Sequence, residues 1–444
     1  MKSAAIDLSR HISLQIGALK LFEIWFYIPY NMKDVRFWLR IWTRIVLGIV
    51  VFVIPTGSQL IYAVRLIMSG NAEIQEVAGI INLILTELLV SLRLLDLSLR
   101  RHRVSELAEQ LKCEEFQFHS PAQKRILEKA VDSSRRLFWI LLCSCSSDVL
   151  VHVVVVPALH NFQTLPLKMD LVYLDVNKES YFNYLCAYQI LYKPMMLATF
   201  AAVQTLPWAT MTCAISQLDV LIYNLENIQD LVKATVAEKQ CTENEAFRDI
   251  FKGCVLHHCS IIKFVNTIQN AFGGQLSATL CLSTGILGTT AVQMLSIESP
   301  LKNLTEVIWV LAYLSIFICN LFIDCYFGNT ITVKSMHVST VIFSCPWIEL
   351  PTTLKKNLVI FIAKTQRPLV ITAAKLVPVS LDTFTKTLFV LRLSRWSSGH
   401  KCDFRIRGLG FDSWVGQSIA GLFSDFRKIL SSSTDSENVP GIWQ

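Results

Sequence analysis

The chain has 444 residues, of which 52% are apolar and only 17% are charged. A soluble domain carries about a quarter charged residues, so this composition excludes an ordinary soluble protein and favours a helical membrane protein with several spans. The net charge of +7 does not indicate a nucleic-acid partner, because the basic residues lie between the apolar runs and not in one patch.

Apolar segments of about 20 residues predict an all-α polytopic membrane protein with seven transmembrane helices. Residues 1–40 are basic and amphipathic, and their charges interrupt any signal-peptide core, so the first span is expected to direct insertion. The predicted spans are about 41–64, 75–97, 137–159, 190–212, 270–295, 306–328 and 369–391. They form one domain over residues 1–391, followed by an atypical polar tail over 392–444.

The basic residues between the spans predict a cytosolic N-terminus. The four segments that this orientation places inside hold 25 Lys and Arg residues, and the three loops that it places outside hold 4. The sequon at Asn303 lies in one of the outer loops, where we expect glycosylation. None of the 13 cysteines lies in these loops, so we expect no disulfide framework.

Ionisable residues inside a bilayer are costly, so they mark either a functional site or a buried pair. Glu87 lies in the second predicted span and Asp324 in the sixth. In the third span, Asp148 and His152 lie one helical turn apart, where they either satisfy each other or offer a hydrogen bond to a ligand. Arg44 is expected to extend to the lipid headgroups at the inner surface.

A stripe of aromatic and Met side chains follows the outward half of the fourth span. It consists of Tyr181, Tyr184, Tyr188, Tyr192 and Met195. Such side chains give a large, adaptable apolar surface with hydroxyl groups for orientation, which suits a small apolar ligand. The alternative is an aromatic belt at the membrane interface that packs only against neighbouring helices.

Motifs of enzyme chemistry are missing from the sequence. We find no phosphate-binding glycine loop, nucleophile elbow or HExxH zinc pair, so we expect no catalytic residue and no cofactor. Cys254 and His258 share a helical face, but zinc needs two further ligands. A structural helix near the inner membrane surface is the simpler interpretation, and no metal site is predicted.

A short amphipathic helix is predicted between Pro351 and Pro368. It is too short to cross a bilayer, so we expect it on the cytosolic side. Its apolar face contains Leu354, Leu358, Phe361 and Ile362.

The C-terminal third resembles the insect odorant receptors. The resemblance rests on a pattern of residues in fixed order: Cys325-Tyr-Phe-Gly328-Asn329, Ser335, Trp347, Gln366-Arg367-Pro368 and the stretch from Leu376 to Phe384. It implies a seven-span receptor subunit that binds a volatile odorant and gates a cation channel with the family's co-receptor. The chain lacks the long loop that the co-receptor has between spans 4 and 5, so it looks like an odour-tuning subunit.

The resemblance also implies roles for particular residues. An odorant pocket is expected between spans 2, 3, 4 and 6, with ligand candidates Tyr188, Tyr192, Met195, Asp148, His152 and Tyr313. The pore would be lined by Leu381, Phe384 and Leu388, and the amphipathic helix would anchor the subunits to one another. The expected assembly is a hetero-oligomer of four subunits, surrounded by lipid in the plasma membrane of olfactory sensory neurons. The alternatives are a gustatory-type chemoreceptor or another seven-span receptor or transporter.

The tail departs from the family pattern, in which the chain ends soon after the last span. Arg392 and Arg395 stand where apolar pore residues are expected. A ring of such charges beside a cation path raises an electrostatic barrier, so the tail predicts poor conduction unless the co-receptor supplies most of the pore.

Overall fold

Helices account for nearly all of the regular structure, as the apolar composition predicts. The computed structural model describes residues 10–21, 35–70, 73–118, 120–151, 179–297, 303–345, 347–348 and 350–388. The helices are α1 (Arg10–Leu21), α2 (Val35–Gly48), α3 (Ile54–Met68), α4 (Ile74–Leu99), α5 (Arg101–Gln110), α6 (Pro121–Leu150), α7 (Glu179–Glu226), α8 (Ile228–Lys239), α9 (Glu243–Leu295), α10 (Leu304–Phe343), α11 (Thr352–Thr365) and α12 (381–388). A π-helical turn, Ile49–Val53, joins α2 to α3, and a 3-10 turn, Glu114–Phe116, precedes α6.

The all-α membrane architecture is confirmed. Within the described ranges, four helical stretches have the length and hydropathy to cross a bilayer: Ile45–Met68, Ile74–Leu99, Glu243–Leu295 and Glu306–Phe343. They contain or overlap the predicted spans 1, 2, 5 and 6. The fourth predicted span lies inside α7, and the described part of the third lies inside α6.

Two helices are far longer than a bilayer is thick. α9 has 53 residues and α7 has 48, which correspond to about 80 and 72 Å at 1.5 Å per residue, against a hydrocarbon core of about 30 Å. α9 begins with a capping box, in which Thr242 and Glu245 satisfy each other's backbone N–H groups. Each long helix therefore continues well beyond the membrane.

The long helix α7 contains a proline whose missing hydrogen bond is replaced from another helix. Pro207 has no N–H, so it cannot donate to the carbonyl of Val203 four residues earlier. Gln275 of α9 donates its side-chain Nε2 to that carbonyl at 2.7 Å. The proline is thus tolerated because α9 lies against α7 at this height.

A buried polar network ties four helices together. Arg93 of α4 donates to Gln204 of α7 and, through Nε at 3.1 Å, to Thr279 of α9. Asp324 of α10 accepts from Trp208 Nε1 at 2.6 Å and lies within 3.5 Å of the Gln204 amide. All five side chains are buried, so the charges of Arg93 and Asp324 are balanced inside the bundle.

The prediction of one continuous span over 369–391 is wrong for residues 369–380, which are not helical. The strands β1 (Thr372–Ala373) and β2 (Val377–Pro378) pair as an antiparallel hairpin, and helix resumes only at Leu381. Gln269 of α9 bonds both backbone groups of Thr372, at 2.6 and 2.7 Å. Ser335 of α10 accepts from the backbone N–H of Leu369 at 2.9 Å, so side chains of two helices hold this segment in a non-helical path.

Several residues discussed above lie outside the described part of the chain. They are His152 and the tail from 392 to 444 with Arg392 and Arg395, together with the side chains of Arg44, Asp148 and Tyr181.

Candidate functional site

A cavity of about 460 Å³ lies between α4, α6, α7, α9 and α10. Its volume is in the range of small-molecule sites. Its main apolar lining comes from Ile80, Leu83, Val90, Met196, Leu197, Phe200, Trp309, Ile316 and Phe317. The helices α4, α6, α7 and α10 correspond to spans 2, 3, 4 and 6, between which the resemblance implies a pocket.

Three aromatic rings on α10 form one wall of this cavity. Trp309, Tyr313 and Phe317 follow one another at helical spacing, with ring centroids 5.5 Å and 4.9 Å apart. Met196 and Phe200 of α7 also line the cavity. This wall offers broad apolar contact to an apolar molecule.

The hydroxyl groups of Tyr313 and Thr86 are already used within the protein. Both reach the backbone carbonyl of Asn82, Tyr313 at 3.2 Å and Thr86 at 2.8 Å, and the two hydroxyls also contact each other. The hydroxyl of Tyr313 therefore links α10 to α4, and its ring is left to contact a ligand.

Carboxylates line the end of the cavity near the start of α4 and of α10. Glu73, Glu76 and Glu306 belong to the lining. Glu76 accepts from the hydroxyl of Tyr62 at 3.0 Å, and Glu306 accepts from the amide of Gln75. These three glutamates, termed the acidic rim, place carboxylate groups together at this end of the cavity.

A buried ion pair stands beside the cavity. The ammonium group of Lys193 lies 3.1 Å from Oε1 of Glu87. Glu87 also accepts from Gln59 and Thr56, each at 3.1 Å. The sequence predicted either a site or a buried pair at Glu87, and the structure shows the pair. Lys193, which the sequence pattern did not indicate, lines the cavity.

The structure places one of the sequence-predicted ligand residues, Tyr313, in the cavity wall. Tyr188 and Tyr192 stack on each other with centroids 4.9 Å apart, and Tyr188 donates to the carbonyl of Val50. They are not part of the lining, and neither is Met195.

The neighbouring stripe of α7, one position further on, faces the cavity instead. It consists of Lys193, Met196, Leu197 and Phe200, at the i, i+3, i+4, i+7 spacing of a helical face. That spacing is present in the sequence, but the adjacent tyrosine stripe is the more distinctive of the two. On α6, Cys145 and Val149 line the cavity on either side of Asp148, whose side chain lies outside the described residues, as does His152.

Most of the predicted anchor face of α11 packs inside the chain itself. Leu354, Leu358 and Phe361 are buried, and Phe361 meets the rings of Phe251 and His258 edge-on at 5.5 and 5.3 Å. Ile362 is half-buried.

Two other apolar side chains of α11 are exposed on the surface of the chain. Val359 and Ile360 are 63% and 68% exposed, and the sequence pattern did not indicate them.

Burial, with Lys364 nearby, lowers the pKa of His258 to about 4, so this ring is a neutral packing element at neutral pH.

The predicted pore residues lie on α12. Phe384 is buried and meets the ring of Phe322 on α10 edge-on at 5.4 Å, whereas Leu381 and Leu388 are half-buried.

Asn303, the predicted glycosylation site, is exposed just before α10. The roles of these residues stay predictions.

Known proteins resemble this chain over most of its length. The family model described as 7tm Odorant receptor matches residues 73–390 and ends where the polar tail begins. Odorant receptor 46a, isoform B, of Drosophila melanogaster is 20% identical over 340 residues, which cover 76% of this chain and 83% of that protein.

Shorter matches are more similar. Odorant receptor 10 of Aedes albopictus is 28% identical over 30% of this chain, and the odorant receptor coreceptor of Aedes aegypti is 29% identical over 32%. The chain spans only about a third of the length of Odorant receptor 10 and of Odorant receptor Or2 of Anopheles gambiae in these matches.

The fold is also found in solved structures. The olfactory receptor OR5 of Machilis hrabei superposes with a TM-score of 0.69 at 13% identity, covering 86% of this chain and 96% of that receptor. The same receptor in complex with eugenol gives a TM-score of 0.70, covering 87% and 96%.

Proposed function

The chain belongs to the 7tm odorant receptor family, and from that premise we propose that it is an odour-tuning subunit that binds a small volatile ligand and opens a cation channel together with a co-receptor. The observation that carries the proposal is the cavity of about 460 Å³ that lies between five helices. The proposed cell location is the plasma membrane of olfactory sensory neurons.

The chemistry of the cavity supports an uncharged, mainly apolar ligand. Its aromatic wall of Trp309, Tyr313 and Phe317 faces lining residues that are mostly aliphatic, so a ligand gains from removing apolar surface from water. Tyr188, Tyr192 and Met195 support the lining stripe of α7 from the adjacent face. Asp148 and His152 stay proposed contributors on α6.

One helix supports a route from ligand to pore. Tyr313 and Phe317 of α10 line the cavity, and Phe322, little more than one turn further along, packs on Phe384 of α12. A ligand that binds the open arrangement more tightly than the closed one shifts the equilibrium toward opening. A shift of α10 would move Phe384, and the neighbouring pore candidates Leu381 and Leu388 would move with it.

The proposed partner is the co-receptor, in an assembly of four subunits embedded in lipid. The exposed apolar side chains Val359 and Ile360 of α11 support a subunit contact, because an isolated chain gains nothing from exposing them to water. Phe361 holds this helix against α9 through Phe251 and His258, while Leu354 and Leu358 are buried and Ile362 is half-buried.

Co-expression with a co-receptor, recording current against a panel of volatile compounds, tests the proposal. We expect odorant-evoked cation currents that the co-receptor alone does not give. Leu197→Trp, which fills the cavity, should weaken the response at least tenfold. Leu191→Trp is the matched control, since Leu191 lies on the same helix but is 71% exposed. Equal responses of the two variants would show that the ligand does not bind in this cavity.

A further inference from the structure

The ion pair beside the cavity is asymmetric. The side chain of Glu87 is 2% exposed and that of Lys193 is 14% exposed, and only Lys193 belongs to the cavity lining. Glu87 receives three donors, from Thr56, Gln59 and Lys193. Its carboxylate is therefore satisfied within the protein and shielded from a ligand, whereas the side chain of Lys193 borders the cavity.

The ammonium group of Lys193 has donor capacity left. Among the described residues, its hydrogen-bond acceptor is Glu87, and the centroid of the Tyr192 ring lies 5.4 Å away. An ammonium group carries three N–H donors, so two remain for other acceptors. Tyr313 and Thr86 donate to the carbonyl of Asn82. Because its donor group is charged, Lys193 is therefore the strongest hydrogen-bond donor among the lining residues.

The acidic rim limits the charge of what can reach this donor. Glu73, Glu76 and Glu306 line one end of the cavity, so an anion such as a carboxylate is repelled there even if Lys193 attracts it. A protonated amine is attracted by the rim but is then repelled by the ammonium group. An uncharged molecule with a hydrogen-bond-accepting oxygen satisfies both features.

We infer that the cavity selects uncharged carbonyl compounds, such as ketones, aldehydes and esters, and that Lys193 determines this selectivity by donating to the carbonyl oxygen. The apolar body of the ligand then lies against Trp309, Tyr313 and Phe317. This inference rests on the proposed function and adds to it the chemical class of the ligand. Tyr192 and Glu87 act through Lys193 by holding its side chain in place.

Matched ligand pairs test the inference in cells that express the receptor with a co-receptor. Each pair is a methyl ketone and the 2-methyl-1-alkene in which a methylene group replaces the oxygen, with the carboxylic acid of equal chain length as a third ligand. We expect the ketone to be about 10- to 100-fold more potent than its alkene, as a hydrogen bond from a charged donor implies, and the acid to be weakest.

Variants of the ion pair test whether Lys193 causes the preference for the ketone over the alkene. Lys193→Met leaves Glu87 buried without its counter-charge, so the double variant Glu87→Gln with Lys193→Met keeps the site neutral and guards against misfolding. Both are expected to lose the ketone preference while the alkene response stays, and Lys193→Arg is expected to keep it. A merely structural role would lower the ketone and alkene responses equally.

The outcomes separate this inference from the proposed function. A ketone-to-alkene potency ratio that is the same in the wild type and the double variant overturns the inference, as does a receptor that responds to amines or acids but to no carbonyl compound. Surface biotinylation shows whether each variant reaches the membrane. A receptor that is present at the surface with its co-receptor and gives no current with any ligand overturns the proposed function itself.

Discussion

At the scale of single residues, Gly328 shows why one position admits no side chain. A Cβ atom at Gly328 of α10 would collide with the backbone carbonyl of Val379, in the segment that follows the hairpin. Gly328→Ala should lower the free energy of unfolding by about 1–3 kcal/mol, because a backbone carbonyl cannot move aside as a flexible side chain can. Thermal unfolding of the purified receptor measures the loss.

The control is a glycine with open space around it. No heavy atom lies within 4 Å of the position that a Cβ would take at Gly253 of α9, so Gly253→Ala should raise stability by up to about 1 kcal/mol through helix propensity. If both alanine variants unfold at the same temperature, the segment at Val379 yields more easily than its contacts indicate.

The buried charges of Arg93 and Asp324 lead to a second residue-scale prediction. Asp324→Asn can still accept from Trp208 but leaves Arg93 without a counter-charge, which should cost about 3–5 kcal/mol. Adding Arg93→Met should recover part of that loss. Surface expression and thermal unfolding of the single and double variants measure the coupling, and purely additive losses would contradict it.

The sequence predicted half of this network. Asp324 stands out because a carboxylate in an apolar span needs a partner. Arg93 was not identified, because an arginine near the end of a span is equally suited to reach the headgroups. Which of these occurs depends on how α4 meets α7 and α10, and hydropathy along one chain does not contain that information.

At the scale of elements, the hairpin before α12 is the main departure from the sequence prediction. Residues 369–379 are apolar enough to resemble the start of a span, and only Pro378 argues against helix. The decisive bonds come from Gln269 and Ser335, which are distant in sequence. Local pattern therefore predicted the breaks on either side of α11 but not the conformation after it.

Removing one of these side chains should release the hairpin. Gln269→Ala deletes both hydrogen bonds to Thr372, a loss of about 1–3 kcal/mol for the docked state. Amide hydrogen exchange over residues 370–379 should become faster. Asn266→Ala is the control, since Asn266 is exposed about one turn earlier on the same helix. Unchanged exchange at Thr372 in the Gln269 variant would show that other contacts hold the hairpin.

At the scale of the whole molecule, the proposed subunit contact rests on the exposed apolar side chains of α11. Ile360→Glu should reduce co-purification with the co-receptor at least tenfold, because it places a charge in the proposed subunit contact, while leaving the exposed site unstrained in a single chain. Lys233→Glu reverses a charge at an exposed position of α8, away from this face, and is the control. Retained assembly in the Ile360 variant would place the contact elsewhere.

The overall architecture was predictable, whereas most of the residues that line the cavity were not. Spans follow from runs of apolar residues, which are local, and the all-α membrane fold came directly from them. The cavity depends on which stripe of α7 turns inward, and two adjacent stripes, one with Tyr188 and Tyr192 and one with Met196 and Phe200, are both apolar enough to do so. Only the packing of α7 against its neighbouring helices distinguishes them.

The bond from Gln275 to the carbonyl of Val203 has a consequence for how this chain can change in evolution. At the buried position 207, another helix supplies the donor that proline lacks, so positions 207 and 275 share one constraint although they lie 68 positions apart. A lineage that lost the amide at 275 first would leave a carbonyl unsatisfied in the bilayer, whereas loss of the proline first restores the donor within α7. Among relatives, proline at 207 should therefore be accompanied by a donor at 275, while residues other than proline at 207 should be found with many different residues at 275.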